Sequence, residues 1–221
     1  MRPIGGISLS EPKKQNYLHG AAILAAGVVI MKILGFIYKV PLGNILGDEG
    51  YTHFLVAYNI YSVFLTVATA GLPVALSRMI SEANTMNRPN QVKRIFSVAW
   101  LTFLVLGVVC TLVMFLFPTE LADSLNDVEA SQSILALSPA VLLVCLTSAY
   151  RGYCQGHENM TPTTIGQVLE VLIKVVVGLV LAWYLKGVGK SLPMVSAGAI
   201  FGVTAAVSYT HLRAHETGAY L

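Results

Sequence analysis

The feature that most constrains this chain is a succession of apolar stretches, each long enough to cross a lipid bilayer. Of its 221 residues, 55% are hydrophobic and only 11% are charged. A membrane-spanning helix needs about 20 mostly apolar residues, and six stretches approach or exceed that length: Leu18–Val40, Phe54–Ser77, Ile95–Pro118, Ser131–Tyr150, Thr163–Leu185 and Leu192–Ser208. The alternating pattern of barrel strands is absent. We therefore predict an all-α integral membrane protein with six transmembrane helices.

Basic residues are distributed unequally between the two ends of these spans, which predicts the orientation of the chain. If the N-terminus is cytoplasmic, only Lys186 and Lys190 lie outside. The basic residues that then lie inside are Arg2, Lys13, Lys14, Arg78, Arg88, Lys93, Arg94 and Arg151. The first apolar stretch is too long for a cleaved signal peptide, and no small-residue cleavage site follows it. We therefore expect a multi-pass protein whose N-terminus is cytoplasmic.

The chain divides into three segments by composition. Residues 1–16 form a polar arm, and residues 17–207 contain the six spans. Between the first three spans we expect a tight outer loop with three glycines at Pro41–Gly50 and a polar inner connection at Arg78–Arg94. Residues 208–221 turn abruptly polar, and from Ser208 onward they resemble the translated adapter-derived tail of truncated reading frames. We expect this last segment to be non-native and the native protein to continue beyond about residue 206.

No catalytic constellation, cofactor site or metal site is predicted. The cysteines have no paired spacing and are expected to be reduced packing residues; they are Cys110, Cys145 and Cys154. The spacing of His211, His215 and Glu216 differs from that of the zinc-protease motif. The sequence contains no phosphate-cradling glycine loop, no paired-carboxylate cluster, and no basic cluster with interleaved aromatics for nucleic acid. We expect neither an enzyme nor a nucleic-acid partner.

Lys32 lies well inside the first apolar stretch and is the main candidate site residue. At about 1.5 Å per residue it lies about 20 Å from the start of the helix. An intramembrane cation is costly in hydrocarbon and indicates a functional site; the alternative is a deprotonated amine or one that reaches lipid phosphates. Lys39, one heptad later, shares the same face and lies close enough to the membrane edge to reach the interface.

Two further helices carry polar side chains along one face. In the second span these are Asn59, Ser62, Thr66 and Thr69; the face either packs against another helix or lines a cavity. In the fifth span Glu170 precedes Lys174 by four residues, which favours a mutually neutralised structural pair. In the other reading, Lys174 is shared with an arriving anion.

Three blocks of sequence resemble the polysaccharide-flippase branch of the MOP exporter superfamily. They are KILGFIYKVPLGNILGDEGY (32–51), AGLPVALSRMISE (70–82) and RGYCQGHENMTPT (151–163). The resemblance covers residues 18–206 and implies the N-terminal six-helix lobe of a two-lobed, alternating-access transporter in a bacterial cytoplasmic membrane. Its implied partners are membrane lipids, a second lobe outside this sequence, and an anionic polyprenyl-pyrophosphate-linked glycan (lipid II or a related cell-envelope precursor).

The resemblance assigns roles to individual residues. Lys32 matches the basic residue of the family's first helix, whereas Lys39 matches a second one only approximately, because Tyr38 holds the strict position. Some lipid II flippases have an arginine in the middle of helix 2, where this chain has uncharged residues. The predicted substrate site combines these two lysines with the residues chosen above from the polar faces of the second and fifth spans: Asn59, Ser62, Thr66 and Lys174. The alternatives are a MATE-like ion-coupled small-molecule antiporter and a non-transporting membrane scaffold of cell-wall synthesis.

Overall fold

The computed structural model describes residues 17–218, whose regular structure is entirely helical. The polar arm predicted for residues 1–16 lies outside the described residues. The elements in chain order are α1 (Tyr17–Thr69), α2 (Leu72–Thr85), α3 (Pro89–Leu116), α4 (Pro118–Asp123), a 3₁₀ turn (Val128–Ala130), α5 (Ser131–Gly156), α6 (Thr161–Gly187) and α7 (Leu192–Gly218). The helix α7 therefore continues through most of the segment 208–221 that the sequence analysis separated from the lobe.

The described residues contain five helical stretches long and apolar enough to cross a membrane. The first, Ala22–Thr85, is 64 residues long and includes the first two predicted spans without a loop between them. The other four are Pro89–Leu116, Val128–Gly156, Thr161–Gly187 and Leu192–Arg213. Each corresponds to one of the four later predicted spans. The prediction of an all-α, multi-pass membrane protein is confirmed.

The first two spans are joined by a kink rather than by the predicted loop Pro41–Gly50. Helical geometry continues through this segment, and only Gly47 departs from it, with φ 69° and ψ −178°. Glycine adopts positive φ without the steric cost of a Cβ atom, so one residue is sufficient to redirect the chain. The loop prediction was wrong because Pro41, Gly43 and Gly50 all remain within helical backbone.

The basic segment between the second and third spans is also helical. It was expected to be a polar connection from Arg78 to Arg94, but α2 extends to Thr85 and α3 begins at Pro89. The buried residues of α2 recur at a helical spacing and are Leu76, Ile80 and Ala83. The charges lie on the exposed side of an amphipathic helix, which explains why overall polarity was a poor guide.

The centre of the lobe is α5, which packs against α1, α2, α3 and α7. Its fully buried side chains include Ile134, Leu137 and Val141. Hydroxyl groups also join α5 to α7, because Ser133 Oγ donates to Ser196 Oγ at 3.0 Å and Thr204 Oγ1 donates to the Ala136 carbonyl at 2.7 Å. Small and hydroxylated residues of this kind are the usual contacts between helices in lipid. Cys110, Cys145 and Cys154 are free thiols, as predicted.

Candidate functional site

The cations of the first helix lie on a face that the lobe leaves uncovered. Lys32 and Lys39 are exposed, whereas Tyr38 is buried and its hydroxyl donates to the Ala199 carbonyl of α7 at 3.3 Å. At about 100° per residue, both lysines lie about a third of a turn from Tyr38. Among the described residues neither ammonium group has an ion-pair or hydrogen-bond partner. The two charges are therefore available to a group from outside this lobe.

The polar face of the second span lies on the part of α1 after Gly47. Asn59 and Thr66 are exposed, and Ser62 is half-buried. The hydroxyl of Ser62 donates to the Asn59 carbonyl at 2.8 Å, and that of Thr66 donates to the Ser62 carbonyl at 2.7 Å. Hydroxyls satisfied by their own helix do not require a neighbouring helix. This face is not used for packing between the described helices of the lobe.

Glu170 of α6 forms its ion pair with Arg151 of α5. Arg151 Nη2 donates to Glu170 Oε2 at 2.5 Å, and the two side chains are only 20% and 23% exposed. The spacing of four residues favoured Lys174, one helical turn away, as the partner of this carboxylate, but its partner in the structure is an arginine of the adjacent helix. A guanidinium makes charge-assisted hydrogen bonds to a carboxylate that are about twice as strong as neutral ones. This ion pair connects the C-terminal part of α5 to α6.

Lys174 lies beside this ion pair, in a small cavity inside the lobe. Its ammonium is 5.9 Å from the centroid of the Tyr38 ring, within range of a cation–π interaction. The cavity has a volume of about 170 Å³ and is lined by Tyr58, Tyr61, Leu65, Val144, Arg151, Glu170, Val171, Lys174, Val203 and Ala206. It has room for a few water molecules and is too small for a sugar-lipid head group.

The predicted site residues thus fall into two groups. The exposed face of α1 carries Lys32 and Lys39, and Asn59 and Thr66 are exposed on the same helix beyond its kink. Lys174 lies in the internal cavity with Arg151 and Glu170, a polar cluster that sequence analysis did not assemble. The sequence contained one indication of this cluster. Arg151 is an isolated charge at the end of an apolar helix, and charged residues in membrane segments are usually paired.

The chain matches a known family over almost its whole length. Residues 17–217 correspond to the family described as polysaccharide biosynthesis protein. In Bacillus subtilis, stage V sporulation protein B is 31% identical over 163 residues, covering 73% of this chain and 32% of that protein. The lipid II flippase MurJ of the same organism is 29% identical over 168 residues, covering 72% of this chain and 31% of that protein. The chain therefore spans about a third of the length of these relatives.

Two solved structures share the fold at low sequence identity. A MOP superfamily transporter from Pyrococcus furiosus, for which a reversed polarity of the binding pocket is described, aligns with a TM-score of 0.71 at 17% identity, covering 91% of this chain and 44% of that one. A MATE protein in complex with MaD3S aligns with a TM-score of 0.75 at 17% identity, covering 91% and 45%. These matches show that the chain shares its helical fold with one part of each of these two proteins.

Proposed function

We propose that this chain, which belongs to the polysaccharide biosynthesis protein family, forms the N-terminal lobe of a MOP-type flippase for polyprenyl-pyrophosphate-linked glycans. The complete protein moves its substrate from the inner to the outer leaflet of a bacterial cytoplasmic membrane. Lipid II and related cell-envelope precursors are the candidate substrates. The multi-pass architecture agrees with this role.

The observation that carries the proposal is the exposed ammonium of Lys32, which lies within a helical stretch long and apolar enough to cross a membrane. A pyrophosphate brings two or more negative charges, and burying them unpaired in a low-dielectric cavity would be costly. An ammonium group without a partner in the described part of the lobe offsets that cost. Lys39 adds a second positive charge on the same face, nearer to the membrane edge.

The polar face after Gly47 supports a hydrated path for the head group. Asn59 and Thr66 present exposed polar atoms between apolar side chains of the same helix, including the exposed Val63 and Val67. We assign this face to the wall of the substrate cavity, with the polyprenyl chain remaining in lipid. The two lobes rocking against each other would open the cavity to either side in turn. Lys174 would reach the bound anion only in a state of the lobe in which the internal cavity is wider than the observed volume of about 170 Å³.

The charges give less support to the alternatives. A cation-coupled antiporter requires an available acid within the lobe, but Glu170 is already paired with Arg151. The cations on the exposed face of α1 would repel a cationic substrate. A non-transporting scaffold would leave an uncompensated lysine at membrane depth with no use for its charge.

The test is translocation of a lipid-linked glycan by the full-length protein that contains this lobe. We expect Lys32→Gln to lose nearly all translocation and Lys32→Arg to retain most of it, because arginine keeps the positive charge. Ile33→Ala is the matched control, since Ile33 is the exposed neighbour of Lys32 on the same helix and carries no charge. Membrane insertion and thermal stability should be equal in all four proteins.

Two results would contradict the proposal. Wild-type translocation in Lys32→Gln would remove the anion-binding role of this lysine. A full-length protein that moves no lipid-linked glycan, while its cell-wall partners still assemble around it, would favour the scaffold.

A further inference from the structure

A second cluster of ionisable side chains lies at the opposite end of the lobe from the Arg151–Glu170 ion pair. His53 follows the Gly47 kink by six residues, and it is only 6% exposed. Its Nδ1 lies 2.7 Å from both carboxylate oxygens of Asp127, the residue just before the 3₁₀ turn. A carboxylate accepts hydrogen bonds and does not donate them, so Nδ1 carries the proton in this pair. The lone pair of a neutral His53 is then on Nε2.

The Nε2 atom of His53 is buried and has no hydrogen-bond partner among the described residues. Two acidic side chains lie close to the imidazole of His53. Glu129 Oε2 of the 3₁₀ turn lies 3.4 Å away, and Glu49 is one helical turn before His53 on the same face of α1. Donor atoms of Glu49, His53 and Glu129 all lie within 4.8 Å of one another. A buried nitrogen with no hydrogen bond, 3.4 Å from one carboxylate and close to a second, is unusual, because buried polar atoms are normally paired.

We propose that Glu49, His53 and Glu129 form a binding site for one divalent transition-metal ion of the zinc class. The donor set is one imidazole nitrogen and two carboxylate oxygens, which suits Zn²⁺ and is unsuitable for Mg²⁺ and Ca²⁺, whose ligands are oxygens. Asp127 is the positioning residue, since a carboxylate on the far nitrogen fixes the tautomer and orientation of a metal-bound histidine. Water fills the remaining coordination position.

The observed distances are compatible with this chemistry. With metal–ligand bonds of about 2.0–2.2 Å, two ligands of a tetrahedral zinc ion lie about 3.4 Å apart, which is the separation of His53 Nε2 and Glu129 Oε2. Glu49 is exposed, and the Glu129 side chain is 63% exposed. Both carboxylates can therefore rotate towards the ion while the buried histidine stays fixed.

The proposed ion would connect two elements that are distant in sequence. Glu49 and His53 lie on the first turns of α1 after its kink, whereas Glu129 lies in the 3₁₀ turn before α5. A shared ion would fix the direction of the kinked helix relative to the central helix of the lobe. It would also offset two of the three negative charges that Glu49, Asp127 and Glu129 place at this end of the lobe.

The competing explanation is a protonated His53 that bridges Asp127 and Glu129 without any metal. The two explanations differ in zinc stoichiometry. We would purify the chain without a polyhistidine tag, strip it with a chelator, equilibrate it with Zn²⁺ and measure bound zinc by competition with a chromophoric chelator. The difference in bound zinc between wild type and Glu49→Gln measures this site alone, because any zinc bound by His211 and His215 is the same in both proteins.

We expect wild type to bind one more equivalent of zinc than Glu49→Gln or Glu129→Gln under limiting free Zn²⁺. Asp127→Asn removes the carboxylate that positions His53 and should weaken zinc binding roughly 10–100-fold. Glu49→Gln and Glu129→Gln each remove a direct ligand and should weaken it by at least as much. Glu120→Gln is the control, because it removes an equal charge from the exposed surface of nearby α4 and lies outside the cluster.

Equal zinc binding by wild type, Glu49→Gln and Glu129→Gln would overturn the proposal and leave the protonated histidine as the explanation. Equal losses in Glu49→Gln and Glu120→Gln would also overturn it, since they would indicate non-specific attraction to negative charge. Both glutamates are exposed, so these variants should fold even if His53→Ala does not.

Discussion

Individual charged residues of this lobe differ in whether the lobe itself compensates them. Arg151 and Glu170 neutralise each other between α5 and α6, whereas Lys32 and Lys39 remain uncovered. Compensated charges in a membrane protein serve structure, and uncompensated ones at membrane depth indicate a site for an external ligand. The compensated and the uncompensated residues therefore lead to different predictions.

Removing one partner of the Arg151–Glu170 pair should destabilise the lobe. In Glu170→Gln the guanidinium loses its countercharge while remaining largely covered, and we expect a loss of about 1–3 kcal/mol in the free energy of unfolding. The measurement is chemical unfolding in detergent. In the double variant Glu170→Gln/Arg151→Gln the loss should be smaller than the sum of the two single losses. Strictly additive losses would show that the ion pair contributes no coupling energy.

The two lysines of the exposed face should differ in importance for translocation. Lys39 is one heptad closer to the membrane edge, where water solvates both the side chain and an arriving phosphate. We therefore expect Lys39→Ala to reduce the initial rate of lipid-linked glycan translocation less than Lys32→Ala does in the full-length protein. A larger loss in Lys39→Ala would place the anion site at the interface rather than at membrane depth.

Lys32 could be recognised from the sequence as a candidate site residue, whereas the ion-pair partner of Glu170 could not. The reason is physical. A cation within an apolar stretch differs from its neighbours in the sequence, so it can be recognised without knowledge of the fold. Glu170 pairs with Arg151 rather than with Lys174 because of how α5 and α6 face each other. The spacing of four residues along one helix gives no information about that packing. The cluster around His53 was missed for the same reason, since residues 49, 53 and 129 meet only in the folded chain.

At the scale of the helices, α6 and α7 approach so closely that glycine is required. A Cβ atom on Gly202 would lie 2.6 Å from the Gly178 nitrogen and 2.9 Å from the Lys174 carbonyl oxygen. These neighbours are backbone atoms and cannot move aside as a side chain can. Close contacts between small residues are a typical way for membrane helices to associate.

Substitution of Gly202 should therefore separate α6 from α7. We expect Gly202→Ala to lower the free energy of unfolding by about 1–3 kcal/mol, the usual cost of overpacking. Gly166→Ala is the matched control, because a Cβ atom there has nothing within 4 Å. That variant should raise the free energy of unfolding by no more than about 1 kcal/mol, because alanine has a higher helix propensity than glycine. Equal destabilisation by both variants would argue against the close contact.

The helices were more predictable than their junctions. An apolar stretch of membrane length indicates a helix whatever its neighbours, because backbone polar groups in lipid have to be satisfied internally. The junction Pro41–Gly50 was wrongly predicted as a loop from its glycine and proline content. Only Gly47 leaves helical geometry, and which of several glycines bends depends on packing at the end of the lobe.

At the scale of the whole molecule, the orientation in the membrane remains a prediction that labelling can test. After replacement of Cys110, Cys145 and Cys154 by alanine, single cysteines would be placed at two exposed positions: Asn90, at the start of α3, and Thr119, in α4 just beyond the other end of α3. A membrane-impermeant maleimide should label Thr119→Cys in intact cells, because α4 is expected outside. Asn90→Cys should react only after the cells are opened. The reverse pattern would invert the predicted topology.

The extent of the chain relative to its relatives leads to a prediction about transport. This chain covers 32% of stage V sporulation protein B and 31% of the lipid II flippase MurJ. In the proposed mechanism the exposed face of α1 becomes a cavity wall only when a second lobe faces it. Without that lobe, the face carrying Lys32 would meet lipid, and no alternation between two openings could occur.

We therefore expect the purified 221-residue chain to insert into vesicles and to move no lipid-linked glycan. The control is the full-length protein in the same vesicles, which should move the substrate from one leaflet to the other. Co-expression of this chain with the remaining part as a separate polypeptide should restore part of the activity if the lobes assemble without a covalent connection. Translocation by the chain alone would contradict the two-lobe mechanism, because the site around Lys32 would then be complete within one lobe.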